Sequence, residues 1–131
     1  MALMLEILAA PDHVAAYRLS GTLTVDDYDS LIADIEARLA RHEKIGILAD
    51  LTGFHDITLR AGARDLRYGF SKMFELRRFP REALISDKGW IETLVAIANP
   101  IIPFVEIRCF KPIEYEAALI WVSEIEGGPE A

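Results

Sequence analysis

The sequence predicts an α/β fold, a mixed β-sheet of about five strands with about four helices, in which an N-terminal hairpin is followed by alternating strands and helices. Three observations carry this expectation. Two short apolar runs, 3–8 and 14–19, flank a turn signal at Pro11 and Asp12. The stretch 45–51 is apolar except for Gly46 and Asp50, as suits a strand covered by other elements. Between and after these runs, apolar residues recur at helical spacing.

The elements follow in order. Runs 3–8 and 14–19 form an antiparallel hairpin that Ser20 and Gly21 end. Thr24 then caps a helix whose Tyr28, Leu31, Ile32, Ile35 and Leu39 share a face. Asp26 and Asp27 sit near its positive end, and it stops around Arg41 and His42. A strand over 45–51 leads into a helix from about 59 to about 77, then a strand over 83–86 and a helix from about 90 to about 98. The last strand covers 105–110, with Val105, Ile107 and Cys109 facing one way and Glu106 and Arg108 the other. A final helix after Pro112 offers Ala118, Trp121, Val122 and Ile125 as one stripe. Alternation of this kind implies right-handed crossovers and mostly parallel pairing.

A chain of 131 residues with 52% apolar content suits a single domain over 1–131 with a proper core. Its net charge of −7 and pI near 4.9 argue against nucleic acid as a partner, since attraction to phosphate needs basic surface. Cys109 is the sole cysteine, so there is no internal disulfide, and it reads as a small buried hydrophobe. No paired His, Cys and carboxylate spacing marks a metal site, and no cofactor motif is present. The apolar N-terminus lacks a basic leader and contains Glu6, which reads as a strand rather than a signal peptide. A soluble cytoplasmic protein is expected, with any membrane contact peripheral and at the inner face.

Two regions depart from the average of the chain. Between Arg60 and Arg81 seven basic residues stand against two acidic ones, so this stretch is basic within an acidic protein. At helical periodicity Arg60, Arg64, Arg67 and Arg78 share one side, beside an apolar side that includes Phe70 and Met73. Such a helix suits an anionic surface or ligand, or a solvated face with internal ion pairs. The other region is 90–104, where Pro100 and Pro103 break a strongly apolar run into a helix and a flap. A flap carrying Ile101, Ile102 and Phe104, lying with Trp90 over Phe54, Phe70, Met73 and Phe74, would enclose an apolar pocket for a lipid or other small molecule. The same residues would equally complete the core or form a homodimer contact. No nucleophile elbow, phosphate loop or positioned base is present, so a non-enzymatic protein is expected.

The element order, with Asp50-Leu51-Thr52-Gly53 after the third strand, resembles the STAS domains of anti-anti-sigma factors. More narrowly, 64–69 (Arg-Asp-Leu-Arg-Tyr-Gly), 83–87 followed by Trp90, the segment 103–110 and the run 117–122 resemble the bacterial SpoIIAA-like family, also labelled STAS/SEC14, over essentially the whole chain. The resemblance implies a STAS-like mixed sheet, and a capacity to bind apolar molecules or associate with membranes. It also implies a second role, a protein-interaction module of the anti-sigma-antagonist type. In the phosphorylated antagonists an Asp-Ser pair opens the helix after the third strand. Here the stretch is His55-Asp56-Ile57-Thr58, without a serine and with isoleucine between acid and hydroxyl. Asp50, Thr52, Asp56 and Thr58 are therefore expected either as a partner or phosphorylation site, or, for Asp56 and Thr58, as plain helix caps.

Overall fold

The computed structural model describes residues 5–57, 63–65, 67, 68, 71–102 and 104–125, the side chains of 55–57, 73 and 74 excepted. Strand β1 (Leu5–Ile7) pairs antiparallel with β2 (Val14–Leu23), Leu5 opposite Leu19 and Ile7 opposite Tyr17. β3 (Gly46–Ile57), β4 (Arg81–Ile85) and β5 (Glu106–Phe110) continue the sheet in parallel, in the order β1-β2-β3-β4-β5. The mixed five-stranded α/β sheet is thus the architecture the sequence predicts.

Helix α1 (Val25–Arg41) starts in a capping box. The Asp27 amide donates to the Thr24 hydroxyl at 3.3 Å, and the Thr24 amide donates to the Asp27 carboxylate at 3.0 Å. Its far end is tied to the β1–β2 turn, where Asp12 accepts from Arg41 at 2.8 and 3.0 Å and lies 2.7 Å from the His42 ring nitrogen. A second helical region includes residues 63–65, 67, 68 and 71 and the 3₁₀ helix Met73–Arg78. Helix α2 (Gly89–Ala98) precedes β5, and α3 (Tyr115–Ser123) is entered through a 3₁₀ turn at Pro112–Glu114.

The crossovers from β2 to β3, β4 and β5 all step the same way, so a common hand places their helices on one face. There Tyr28, Leu31, Ile35 and Leu39 of α1 pack with Ala15, Tyr17, Leu19, Phe79, Val95 and Ile107. α3 covers the opposite face, where Ala118, Trp121 and Val122 meet Val14, Ala16, Leu48, Ala83 and Ile85. Gly46 belongs to this second contact. A Cβ there would lie 2.3 Å from the Val122 carbonyl oxygen, so only glycine lets β3 approach α3 this closely. The edge strand β5 is partly shielded by Asn99, whose side chain accepts from the Ile107 amide at 2.8 Å and donates to its carbonyl at 2.6 Å.

Two boundaries correct the sequence reading. β2 does not end at Ser20 and Gly21, and β3 does not end at Leu51. Gly21 adopts φ 64°, and the β2–β3 register shifts on either side of Ser20 and Gly21. The extra residues are absorbed as irregularities and the ladder resumes to Leu23 and Ile57. Asp50 to Asp56 therefore lie within a strand rather than in a connection that launches a helix.

Candidate functional site

A cavity of about 320 Å³ lies between α1 and the sheet. Strand alternation builds its floor: Tyr17 and Leu19 of β2, Ile47 and Ala49 of β3, Glu82 of β4 and Ile107 of β5 all point to the α1 side. Tyr28, Leu31 and Ile35 of α1 form the roof. Asp65, Tyr68, Lys72, Leu76 and Phe79 close one flank, and Ile102 and Val105 the other. Ala49 in the interior strand β3 leaves space that a larger side chain would occupy. The volume is at the lower end of the range of about 300–1,000 Å³ usual for small-molecule pockets, and most of the lining is apolar.

The polar groups of the wall are organised in pairs. The Tyr17 hydroxyl donates to Asp34 at 2.6 Å, and Asp34 also accepts from Arg38 Nε at 2.8 Å. The Tyr28 hydroxyl donates to Asp65, and the Tyr68 hydroxyl to Glu36 at 2.8 Å. Lys72 Nζ stands 2.9 Å from Glu36 and 3.4 Å from Glu75. Burial, and then the accepting carboxylate, holds each of the three tyrosines well above its ordinary acidity range. They are fixed donors rather than bases or nucleophiles.

Glu82 is the exception. Among the described residues nothing donates a hydrogen bond to it or pairs with it. It is partly buried among the walls, and the surface it retains faces the cavity. That burial, reinforced by the nearby Asp65 charge, pushes its carboxyl from 4.5 up to about 7.

The residues singled out from the sequence fall in several places. Ile102 lines the cavity, and Phe54 is half-buried against the same core. Trp90, Ile101 and Phe104 are 54%, 71% and 55% exposed, so they face outward instead of closing a flap over the pocket. Phe104 adopts φ 69° and its ring lies 3.9 Å below the Arg77 guanidinium. Phe70 lies outside the described residues, as do the side chains of Met73 and Phe74. Of the basic face, Arg60 is outside the described residues, Arg67 is exposed, and Arg64 pairs with Asp29 at 2.6 Å. Arg78 turns inward and donates to the carbonyls of Leu39, His42 and Glu43 at 2.7, 3.1 and 2.9 Å, so it is not part of an outward basic face.

Asp50 lies on the other side of the sheet from the cavity. Its carboxylate accepts from the Thr52 hydroxyl at 2.6 Å, the Thr52 amide at 3.0 Å and Arg18 Nε at 3.2 Å. Burial alone would raise its carboxyl, but the Thr52 hydrogen bonds and Arg18 together bring it below the ordinary range. Thr58 and the Asp56 side chain lie outside what is described. Cys109 is half-buried, and burial, then the charges of Glu92 and Glu114, push its thiol up.

Sequence reasoning missed Tyr17, Tyr28, Asp65, Tyr68 and Glu82 as one wall. The available signal was Glu82 itself, an acid in phase with Leu84 on the inward face of an interior strand. A second depression of about 290 Å³, bounded by Ser86, Asp87, Glu92, Lys111 and Pro112, lies at the carboxyl ends of β4 and β5. Among the described residues no group of three His, Cys, Asp or Glu is arranged to hold a metal, and no helix is long and apolar enough to cross a membrane.

Comparison with known proteins supplies the lineage. No curated protein matches the chain. A solved structure of an uncharacterized protein of the DUF3478 family from Shewanella loihica PV-4, with a SpoIIAA-like fold, is 27% identical. It superimposes with a TM-score of 0.71 over 90% of this chain and 91% of its own. The SpoIIAA-like family model matches residues 14–123, and the chain belongs to the SpoIIAA-like family.

Proposed function

We propose that this chain is a non-enzymatic module that binds a small apolar or amphipathic molecule in the cavity beneath α1. The observation that carries the reading is the cavity itself, an apolar chamber inside the main core whose walls are fixed by tyrosine–carboxylate pairs. Such pairs hold a pocket open, because closing it would break hydrogen bonds of which two, Tyr17 to Asp34 and Tyr28 to Asp65, are part-buried and costly to lose. Among the described residues the walls supply no activated nucleophile, since the tyrosine hydroxyls are held protonated.

Native mass spectrometry and organic extraction of the purified protein, with calorimetric titration of octanol, test this. Retained small molecule or saturable octanol binding is expected, and Ala49→Leu, which fills the floor of the cavity, should weaken it at least about tenfold. A protein that retains nothing and binds no octanol overturns the reading.

One surface feature favours an accompanying peripheral contact. Trp90, Leu94 and Ile97 of α2, then Ile101, recur at helical spacing and are each more than half exposed. Anionic liposomes at low salt are the assay, and full retention of binding after Leu94→Glu would remove α2 from the contact. The alternative role, docking of a regulatory protein near Asp50 and Thr52, has less support because Asp50 is buried and already bonded to Arg18 and Thr52.

A further inference from the structure

We infer that the cavity selects a molecule carrying an ammonium group on an apolar body, with Glu82 and Asp65 receiving its N–H groups. This rests on the cavity being a ligand site and names the ligand class that fits it. Each tyrosine hydroxyl in the wall has one hydrogen to give, and all three are given to carboxylates: Tyr17 to Asp34, Tyr28 to Asp65 and Tyr68 to Glu36. The Lys72 ammonium already bridges Glu36 and Glu75.

What remains unspent is acceptor capacity. Among the described residues both oxygens of Glu82 are free and Asp65 receives only the Tyr28 hydroxyl, and each tyrosine oxygen keeps lone pairs. A guest that brings acceptors, such as a carboxylate, would find the tyrosine hydrogens already given, the Lys72 charge already matched by Glu36 and Glu75, and two acids beside it. An ammonium would find an acceptor for each N–H and would neutralise a carboxylate that lacks a partner. The exterior basic residues therefore do not predict the guest, because the chamber is acidic inside.

Among the described residues that line the cavity with Glu82, the polar groups are Tyr17 from β2, Tyr28 from α1, and Asp65, Tyr68 and Lys72 from the second helical region, while β3 and β5 contribute Ile47, Ala49 and Ile107. Lys72 is compensated by its own two carboxylates, and Asp65 is the charge that bears on Glu82. Glu82 titrates near 7, so the ionised fraction rises from about 0.1 to about 0.9 between about pH 6 and about pH 8. An alkylammonium ion keeps its proton throughout this range. Its affinity should follow the ionised fraction.

Calorimetric titrations of the full chain with octylamine, octanol and octanoate at about pH 6 and about pH 8 decide the matter. Octylamine should bind at least about tenfold tighter than octanol at the higher pH, lose about tenfold at the lower, and octanoate should bind most weakly. In Glu82→Gln the advantage of the amine and its pH dependence should vanish while octanol still binds, which also shows that the variant is folded. Asp65→Asn should move the amine's pH profile toward lower pH.

Octanol binding as tightly as octylamine, octanoate binding tighter than either, or Glu82→Gln keeping the amine preference would overturn the inference and leave the cavity reading standing. If none of the three binds, both fall together.

Discussion

Glu82→Gln should stabilise the ligand-free protein, by an amount that grows with pH in a defined window. The folded-state carboxyl titrates near 7, against 4.5 when unperturbed. Below about pH 4.5 the side chain is protonated in folded and unfolded chains alike and adds no pH dependence. Between about pH 4.5 and about pH 7 the unfolded chain releases this proton while the folded one keeps it, so stability falls by up to 1.36 kcal/mol per pH unit. Above about pH 7 both states are ionised and the loss is complete, at about 3 kcal/mol. Water admitted by the cavity solvates the carboxylate and makes that figure an upper value.

Glutamine keeps the shape and removes the titration. The variant's advantage should therefore rise by up to about 3 kcal/mol from about pH 4 to about pH 8, with every other titrating group common to both proteins and cancelling. Urea unfolding followed by circular dichroism reads this as a midpoint difference widening by about 2 M, for a denaturant slope of about 1.5 kcal/mol per M. A midpoint difference that stays flat across the window would show that Glu82 is solvated in the folded state, and the reasoning about its environment would fail.

Two further substitutions probe how the layers around the cavity are held. Gly46→Ala places a methyl group 2.3 Å from the Val122 carbonyl oxygen and should cost about 1–3 kcal/mol in urea unfolding, because a backbone atom cannot yield as a side chain does; an unchanged midpoint would mean that α3 is free to shift away. Arg78→Met removes the hydrogen bonds to the carbonyls of Leu39, His42 and Glu43 and should cost about 2–4 kcal/mol. A loss below about 0.5 kcal/mol would show that this guanidinium does not secure the end of α1.

The architecture was legible because it rests on periodicity. Tyr28, Leu31, Ile35 and Leu39 announced the buried face of α1, and the apolar run in β3 announced a strand covered on both sides. The lengths of β2 and β3 were hidden because a register shift around Ser20 and Gly21 lets polar residues continue a ladder, and local sequence shows a turn signal in either case. The site was less legible than the fold. Trp90, Ile101 and Phe104 drew attention by their apolar character, and they face outward. The chamber instead depends on which residues of four strands project to the same side, a fact of register that spacing within one segment does not carry. Arg78 illustrates the same limit: its charge suggested a surface role, whereas its geometry spends it on three backbone carbonyls and the Glu75 carboxylate.

Packing alone gives no reason for Glu82. Its position is on an interior strand facing the main core, where Leu84 two residues on supplies ordinary apolar contact and where leucine or valine would be the stable choice. Asp65, the other carboxylate in the described lining, is engaged by the Tyr28 hydroxyl, while Glu82 has no such partner among the described residues. An ionisable group held without a partner in an apolar chamber lowers the stability of the empty protein, and the same desolvation strengthens any ion pair that a guest can complete there. The stability gained on removing the charge and the selectivity lost with it are thus two measurements of one environment. Raised stability in Glu82→Gln, accompanied by loss of amine preference, ties the chamber's chemistry to this single side chain.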